Sequence, residues 1–530
     1  MAHEGSSSAG GGAGSTGSSR GDGRGGDGLD RDGRDHDDQG LDGGGRDDDQ
    51  AVGGRSHAAN AILISVVAAI GGFLFGFDTA VINGAVDALA GEFELSAGLT
   101  GFAVSCALLG CVVGAWFAGS AADRFGRPRV MVAAAVLFTA SAIGSGLAFG
   151  VWDLIFWRVV GGLGVGVASV IAPAYIAEIA PAAIRGRLGS LQQLAIVTGI
   201  FLALLSDAFL AGQAGGASED LWLGLAAWRW MFIAGIVPAV LYGVLALTIP
   251  ESPRFLVARG EDTRARDVLL RLMSGRAARE RITAIKKSME GEHLVGLANL
   301  KGPRLGLRPI VWVGILLSLF QQLVGINVIF YYSTTLWRSV GFEESDALTI
   351  TVITSVTNVV VTVIAILLVD RVGRRPLLLT GSAMMTLSLG AMALSFTQST
   401  GSGDDVSLGA PWSTIALVAA NVFVVGFGVS WGPVVWVLLG EMFPNALRAP
   451  ALAVAAAAQW VANFAVSTTF PWMSQNLGLS VTYGGYAVFA LLSGLFVLTQ
   501  VQETKGRELE DMTGATGRDR GADRQPATTG

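Results

Sequence analysis

Charged side chains are scarce in this chain. Asp, Glu, Lys and Arg make up 15% of its 530 residues, whereas hydrophobic residues make up 51%, and the mean hydropathy is +0.54. Soluble domains typically carry about 25% charged residues. A chain of this length has too little polar surface to fold in water, so its composition indicates a protein that folds in the lipid bilayer.

Cysteine and histidine are also rare. Cys106 and Cys111 lie five residues apart in one apolar segment and therefore on different helix faces, so we predict neither a disulfide nor a metal site from them. All histidines lie outside the apolar segments, which argues against a histidine proton relay; they are His3, His36, His57 and His293. We expect no metal and no cofactor.

Motifs for nucleotide chemistry are missing as well. The glycines between Gly161 and Gly166 superficially resemble a dinucleotide fingerprint, but no strand precedes them, and small residues let membrane helices pack closely. There is no phosphate-binding loop with its lysine, and no nucleophile-and-base constellation. We therefore expect neither ATP-driven transport nor enzyme activity, and no nucleic-acid partner.

Long apolar segments dominate the rest of the sequence. A hydrocarbon core of roughly 30 Å requires about 20 helical residues. By that measure we predict an all-α membrane protein of twelve transmembrane helices in two pseudo-symmetric six-helix bundles. The predicted spans begin near Ala59, Ala97, Val130, Asp153, Leu188, Trp228, Leu307, Ala347, Pro376, Trp412, Ala449 and Val481.

The segments between and beyond the spans define five regions. Residues 1–57 form a Gly-, Ser-, Asp- and Arg-rich tail with almost nothing to bury, which we predict to be disordered. Residues 58–250 form the first bundle and 307–502 the second. The polar stretch 251–306 between them is predicted to be an intracellular helical linker, and 503–530 a cytoplasmic tail.

Two short motifs occur once in each half. Asp123-Arg124-Phe125-Gly126-Arg127 returns as Asp370-Arg371-Val372-Gly373-Arg374, and Glu178 precedes Arg185 by the same spacing with which Glu441 precedes Arg448. Duplicated bundles suit an alternating-access carrier, in which two similar halves rock about a site between them. One interpretation is that the motifs only supply positive charge. Because the glycine and the acid recur with the arginines, we favour a structural role in tight turns and helix ends.

Arginines occupy alternate connections between the spans. One set of connections carries Arg124, Arg127, Arg129, Arg185, Arg187, Arg371, Arg374, Arg375 and Arg448, whereas the opposite set offers only Arg338 and, at a helix edge, Arg229. By the positive-inside rule, both termini and the central linker are predicted to be cytoplasmic.

Two charged residues lie within the predicted spans. Asp78 is inside the first span and Arg158 near the outer end of the fourth. An unpaired charge at depth costs about 2.5 to 3.5 kcal/mol. Both residues lie roughly 9 to 12 Å from the outer boundary, so they can meet at one depth. Two interpretations stay open: a permanent structural ion pair, or a switch in which Asp78 alternates between Arg158 and a proton.

The remaining polar residues in the spans are mostly amides. Amides both donate and accept hydrogen bonds, which suits a ligand dense in hydroxyl groups, and tryptophans can stack on its apolar face. Amides and tryptophans also bridge helices and occupy interfaces, which explains some of them equally well. The residues are Gln192, Gln193, Gln321, Gln322, Asn327, Tyr331, Tyr332, Asn358, Gln459, Asn463, Trp436 and Trp460.

From Ala59 to Asp511 the chain resembles a sugar porter of the major facilitator superfamily, of the proton-coupled monosaccharide symporter type. The matching motifs are Arg158-Val159-Val160-Gly161-Gly162, Pro250-Glu251-Ser252-Pro253-Arg254, Gln321-Gln322-Leu323-Val324-Gly325-Ile326-Asn327, Gly432-Pro433-Val434-Val435-Trp436 and Glu503-Thr504-Lys505-Gly506. Some proton-coupled members carry a glutamate on the sixth span where this chain has Gly235, so coupling would depend more heavily on Asp78 and Arg158.

The resemblance implies three groups of functional residues. Asp78 and Arg158 would couple transport to protons. The sugar would be bound by Gln193, Gln321, Gln322, Asn327, Asn358, Trp436 and Gln459, with Tyr332 near the outer gate. A cytoplasmic gate would consist of Asp123, Arg124, Arg127, Glu178, Arg185, Asp370, Arg371, Arg374, Glu441 and Arg448.

We therefore expect a cell-membrane importer of a hexose or pentose, driven by proton symport through alternating access and functional as a monomer. Its partners would be the sugar, the proton and the bilayer. A facilitative sugar or polyol uniporter is the alternative within transport. A non-transporting sugar sensor fits less well, because only a short polar tail follows Glu503. Amide positions alone do not identify the sugar.

Overall fold

The structure, a computed structural model, describes residues 45–180, 185–291, 300–304, 306–400, 407–443 and 447–504. By their contacts, the described residues divide into a unit that ends at Ala51 and one that begins at Val52. All of the membrane-spanning segments belong to the second unit.

Seven helices and a hairpin build the first half. The helices are α1 (Gly45–Glu92), α2 (Ala97–Phe125), α3 (Arg127–Gly146), α4 (Val151–Ile179), α5 (Arg185–Ala214), α6 (Ala227–Ala234) and α7 (Ile236–Ala246). Between α5 and α6, the strands β1 (Asp220–Trp222) and β2 (Leu225–Ala226) pair antiparallel.

Three short helices and a strand connect this half to the second, which is helical throughout its spans. The connecting elements are α8 (Pro253–Ala258), α9 (Asp262–Leu270), α10 (Gly275–Gly291) and β3 (Lys301–Arg304). The second half comprises α11 (Pro309–Leu323), α12 (Ile326–Tyr331), α13 (Ser333–Arg338), α14 (Glu344–Val372), α15 (Arg374–Phe396), α16 (Trp412–Val429), α17 (Trp431–Met442), α18 (Arg448–Asn476) and α19 (Leu479–Gln500).

Within the described residues, twelve segments are long and apolar enough to cross a membrane. Each begins within about one helical turn of its predicted start, so the prediction of twelve spans in an all-α fold is confirmed. This agreement follows from composition, because a spanning helix must keep its apolar residues together over the full hydrocarbon thickness.

Two features of the helices differ from our prediction. Helix α1 begins at Gly45, so residues 45–57, which we assigned to the disordered tail, continue the first helix; extending an existing helix is far easier than starting one. The rest of the predicted tail, and residues 505–530, lie outside the described residues.

The second difference is that three spans are broken rather than continuous. The sixth breaks at Gly235, the seventh around Gly325 and again at Tyr332, and the tenth at Ser430. Gly325 has φ +81°, and a Cβ there would lie 2.7 Å from a ring carbon of Tyr486, so only glycine fits this turn.

Glycines set the close approach of helices within and between the halves. A Cβ at Gly162 would lie 2.0 Å from the carbonyl oxygen of Ala107, and one at Gly166 would lie 2.3 Å from that of Cys111, so α4 packs directly on α2 through them. Between the halves, α2 meets α18 and α5 meets α14. A Cβ at Gly101 would lie 2.1 Å from the carbonyl oxygen of Thr468. Close backbone packing of this kind holds membrane helices together where hydrophobic driving force is absent.

Candidate functional site

A buried ion pair joins the first and fourth spans. Nη1 of Arg158 donates to Oδ1 of Asp78 over 2.8 Å and to the carbonyl oxygen of Asp78 over 3.2 Å. The two residues are 2% and 4% exposed. The sequence placed them at one depth, and the structure brings them into contact. Pairing offsets the desolvation that each charge would otherwise suffer alone.

The pair leaves one polar atom unpartnered on each side. Oδ2 of Asp78 and Nε of Arg158 have no hydrogen-bond partner among the described residues. The guanidinium also lies over the ring of Phe232, with 5.7 Å between its central carbon and the ring centroid. A carboxylate with one free oxygen can accept a proton there while its other oxygen still faces the arginine. The geometry is therefore compatible with a switch as well as with a permanent pair.

Amides cluster at the break in the seventh span. Nδ2 of Asn327 donates to Oε1 of Gln322 over 2.5 Å, across the turn at Gly325. Nε2 of Gln321 donates to the carbonyl oxygen of Trp431 over 2.8 Å, near the break in the tenth span, while its Oε1 has no partner among the described residues. Gln321 and Gln322 are both buried. The two helix breaks thus meet at a set of amide groups.

The other predicted sugar-binding residues are Tyr332, at the break between α12 and α13, and four residues on four different helices. Tyr332 is buried and its hydroxyl donates to the carbonyl oxygen of Ser467 over 2.9 Å. Asn358 on α14 is buried, whereas Gln193 on α5 and Gln459 on α18 are partly exposed. Oε1 of Gln459 has no partner among the described residues. Trp436 on α17 is 40% exposed, which leaves its ring face open to a ligand.

The first copy of the repeated motif forms a compact network at the start of α3. Nε and Nη2 of Arg127 donate to the two carboxylate oxygens of Glu178 over 3.1 and 2.9 Å. The backbone nitrogen of Arg127 donates to Oε1 of Glu251 over 2.9 Å. Gly126 has φ +91°, and a Cβ there would lie 2.0 Å from Oε2 of Glu251. The glycine is required because Glu251 caps the helix where a side chain would stand.

The second copy repeats these contacts at the start of α15. Nε and Nη2 of Arg374 donate to Glu441 over 3.1 and 2.7 Å, and the backbone nitrogen of Arg374 donates to Oε1 of Glu503 over 3.0 Å. Gly373 has φ +104°, and a Cβ there would lie 2.8 Å from Oε2 of Glu503. The sequence repeat is therefore also a structural repeat.

The predicted gate residues differ in their exposure and in the contacts that they make. Asp123 pairs with Arg127 over 3.2 Å, although its side chain is 76% exposed. Arg124 contributes its carbonyl oxygen, which accepts from Nη2 of Arg259, and Arg371 is exposed. The side chains of three further predicted residues lie outside the described residues: Arg185, Asp370 and Arg448. The described ion pairs of Glu178 and Glu441 each lie within one half.

Sequence reasoning missed the helix-capping role of Glu251 and Glu503. Both lie in motifs that carried the family resemblance, but each caps a helix more than a hundred residues earlier in the chain. Burial raises the pKa of the Glu251 carboxyl, and the hydrogen bonds from the backbone of Arg127 and Ser252 oppose that rise.

A second missed set joins the two halves at the opposite end of the bundle. Nδ2 of Asn83 donates to the carbonyl oxygen of Phe330, and Oδ1 of Asn83 accepts from Thr334. Asp87 accepts from Thr335 over 2.7 Å and from Arg338 over 2.8 Å. We call these six residues the outer latch. Asn83 and Asp87 are four residues apart on α1 and so share one helix face, which is the signal that could have revealed them.

Comparison with known proteins places this geometry among sugar carriers. Residues 64–515 match the family model described as "Sugar (and other) transporter". The "Glucose transport protein" of a Synechocystis species is 57% identical over 452 residues, covering 85% of this chain and 96% of the relative. The "D-xylose-proton symporter" of Escherichia coli K12 is 39% identical over 482 residues, covering 85% of this chain and 94% of the relative.

Solved structures give the same result. The xylose transporter XylE from E. coli, in a partially occluded inward open conformation, superposes with a TM-score of 0.72 at 37% identity, covering 84% of this chain and 100% of the other. The same proton:xylose symporter bound to 6-bromo-6-deoxy-D-glucose superposes with a TM-score of 0.70 at 38% identity, covering 86% of this chain and 99% of the other.

Proposed function

The chain belongs to the sugar porter family of the major facilitator superfamily, and we propose that it imports a monosaccharide together with a proton by alternating access. It is a transporter and not an enzyme. The observation that carries the proton coupling is the buried contact between Asp78 and Arg158, because a membrane carboxylate with one free oxygen and one arginine partner can exchange that partner for a proton.

Proton binding at Asp78 would change the electrostatics of the first half. When Oδ2 of Asp78 takes up a proton, the carboxyl becomes neutral and its attraction to Arg158 weakens. Arg158 then depends on the carbonyl oxygens of Asp78 and Val104 and on the Phe232 ring for stabilisation. Protonation thus leaves the buried charge of Arg158 without its counter-ion, which favours a rearrangement of the first half around the guanidinium.

Sugar recognition would take place mainly in the second half, with Gln193 on α5 as the contribution of the first half. Gln322 and Asn327 bond to each other across the seventh-span break, and Gln321 has a free oxygen, so ring hydroxyls can replace or extend these bonds. Trp436 offers an exposed ring for the apolar face of the sugar. The remaining proposed ligands are Gln193, Asn358 and Gln459, with Tyr332 at the outer gate. The relatives named above are a glucose transport protein and a D-xylose-proton symporter, so a hexose or pentose is proposed.

Alternation would depend on contacts at both ends of the bundle. The outer latch joins α1 to α12 and α13, so this conformation is closed at that end. At the other end, the described bonds of Arg127 and Arg374 stay within their own halves. This arrangement fits an inward-facing state, and the cytoplasmic gate would make its cross-bundle contacts when the protein faces outward.

We further propose that both termini are cytoplasmic, that the protein lies in the cell membrane and that a monomer is sufficient for transport. The arginine asymmetry supports the orientation. The monomer proposal is supported by the presence of both bundles in one chain.

Sealed proteoliposomes containing the purified protein test this function. With an acidic exterior, we expect labelled glucose or xylose to accumulate above its external concentration, and addition of unlabelled sugar to alkalinise the external medium. Sugar equilibration without any proton movement would instead indicate a facilitative uniporter, and no sugar flux at all would indicate a sensor. Competition by a panel of unlabelled sugars then identifies the preferred substrate.

A further inference from the structure

A second buried carboxyl group lies in the first half, on α5. Asp207 is 0% exposed. Its Oδ2 accepts one hydrogen bond, from the backbone nitrogen of Gly84 on α1 over 3.3 Å, and its Oδ1 has no hydrogen-bond partner among the described residues. The proposed transport mechanism does not use this residue.

The contact between α1 and α5 is tight along its length. A Cβ at Gly76 would lie 1.9 Å from the carbonyl oxygen of Ile196, and one at Gly199 would lie 2.2 Å from that of Phe73. At Gly84, a Cβ would lie 2.7 Å from Cβ of Asp207. The carboxyl group is therefore held against the α1 backbone, where solvent does not reach it in this conformation.

No described cation compensates the charge of Asp207. The titratable and charged side chains of the outer and middle portions of the neighbouring elements are Asp78, Asp87 and Glu92 on α1, Asp153 and Arg158 on α4, Asp220 on β1, Arg229 on α6, and Glu344 and Asp346 on α14. The two arginines in this group pair with other acids, Arg158 with Asp78 and Arg229 with Glu92, and Arg338 on α13 pairs with Asp87. A carboxylate buried with one backbone donor and no counter-charge is costly, so the neutral acid is the form that fits this site.

The outer latch connects this site to the conformation of the carrier. Gly84 directly follows Asn83, whose side chain bonds to Phe330 and Thr334 of the other half. Asp207 also lies seven residues before the end of α5, at the same end of the bundle as the latch. Under the proposed alternating access, opening of the latch would turn the outer parts of α1 and α5 toward the external solution, where water could hydrate the carboxylate.

We propose that Asp207 is a second proton-binding site, whose carboxyl group takes up a proton from the outer solution when the outer latch closes and returns it there when the latch opens. This inference rests on the proposed alternating access. Because the proton enters and leaves on the same side, it is not carried across the membrane. Asp78 sets the number of protons transported per sugar, whereas Asp207 sets how readily the outer side closes at a given external pH.

Sugar exchange measured at equal pH on both sides isolates this effect, since exchange requires opening and closing but no net proton transport. In an Asp78→Asn background, we expect exchange to slow as the pH rises, by up to roughly ten-fold per pH unit, because closing must still protonate Asp207. Adding Asp207→Asn, which mimics the neutral acid, should remove this pH dependence. Asp220→Asn, a change at an exposed carboxylate near the end of α5, is the matched control and should leave it in place.

Infrared spectra of the purified protein give a readout that needs no transport. We expect the wild type to show the carbonyl band of a protonated carboxyl group at neutral pH, and Asp207→Asn to lose it. Exchange with the same pH dependence in the presence and absence of Asp207, or an unchanged carboxyl band in Asp207→Asn, would overturn the proposal. The proposed function fails separately, through absence of sugar-induced proton uptake by the wild type.

Discussion

Arg127 in the first half and Arg374 in the second have equivalent contacts: each donates twice to a glutamate of its own half, and each has its backbone nitrogen capped by a distant glutamate. Inside the membrane the halves differ. The buried carboxyl groups among the described residues, Asp78 and Asp207, are both in the first half. The amide cluster at Gln321, Gln322 and Asn327 is in the second.

This difference separates two requirements of a carrier. Two similar halves can rock about a site between them, and the repeated arginine networks give both halves similar contacts at one end. Coupling requires that proton and sugar bind at distinct groups whose occupancies affect one conformational equilibrium. A carboxyl group in one half and amides in the other meet this requirement without competing for the same ligand atoms.

Removing the carboxyl group of Asp78 should have the largest effect on transport. Asp78→Asn keeps the shape of the side chain but cannot exchange a proton, so we expect concentrative uptake to be abolished while sugar exchange persists. Uptake against a gradient and exchange, measured in the same proteoliposomes, check this outcome. Concentrative uptake by Asp78→Asn would remove the proposed role of the first half.

Removing an amide from the second half should weaken sugar binding next. In Gln322→Ala the partner of Asn327 is lost together with a proposed sugar ligand, so we expect a cost of about 1–3 kcal/mol, or roughly a 5- to 150-fold loss of affinity. Equilibrium binding of labelled sugar measures it. Gln398→Ala, at an exposed amide, is the control and should bind normally. Unchanged affinity in Gln322→Ala would move the sugar site elsewhere.

Disrupting either arginine network should lower the stability of the protein, but by different amounts. Arg127→Gln and Arg374→Gln each remove a paired donor, and we expect each to lower stability by about 1–3 kcal/mol. Since the Glu441 side chain is 32% exposed and that of Glu178 only 14%, water compensates the second change better and its effect should be smaller. Thermal unfolding in detergent compares them. Arg276→Gln, at a surface ion pair whose arginine side chain is 91% exposed, should cost almost no stability. A larger loss of stability in Arg374→Gln than in Arg127→Gln would contradict the reasoning.

The smallest expected effect concerns the cap of the first network. Burial raises the pKa of Glu251, so the folded protein binds this proton more tightly than the unfolded chain does. Its ionisation therefore lowers stability as the pH rises from the unfolded pKa through the folded one. Across that window, the Tm of the wild type should fall relative to the Tm of Glu251→Gln, which does not titrate. A parallel pH dependence of the two Tm values would show that Glu251 is not responsible.

The sequence predicted the elements whose causes are local or repeated. The spans follow from apolar length, and the meeting of Asp78 with Arg158 follows from counting residues to the outer boundary. The helix breaks at Gly235 and Ser430 were missed, because apolar composition does not distinguish a broken span from a continuous one. The pairing of Glu251 and Glu503 with distant helix starts depends on tertiary packing. Asp207 was visible in the sequence as a lone acid in an apolar run, and should have been treated as a functional candidate.

The affinity of Asp78→Asn for sugar, measured across a range of pH, tests most directly whether proton and sugar bind in different halves. We predict that this variant binds sugar as tightly as the protonated wild type does, and that, once Asp207→Asn removes the second titration, its affinity no longer changes with pH in the range where the affinity of the wild type does. Loss of sugar binding by Asp78→Asn at every pH would contradict the division between the halves.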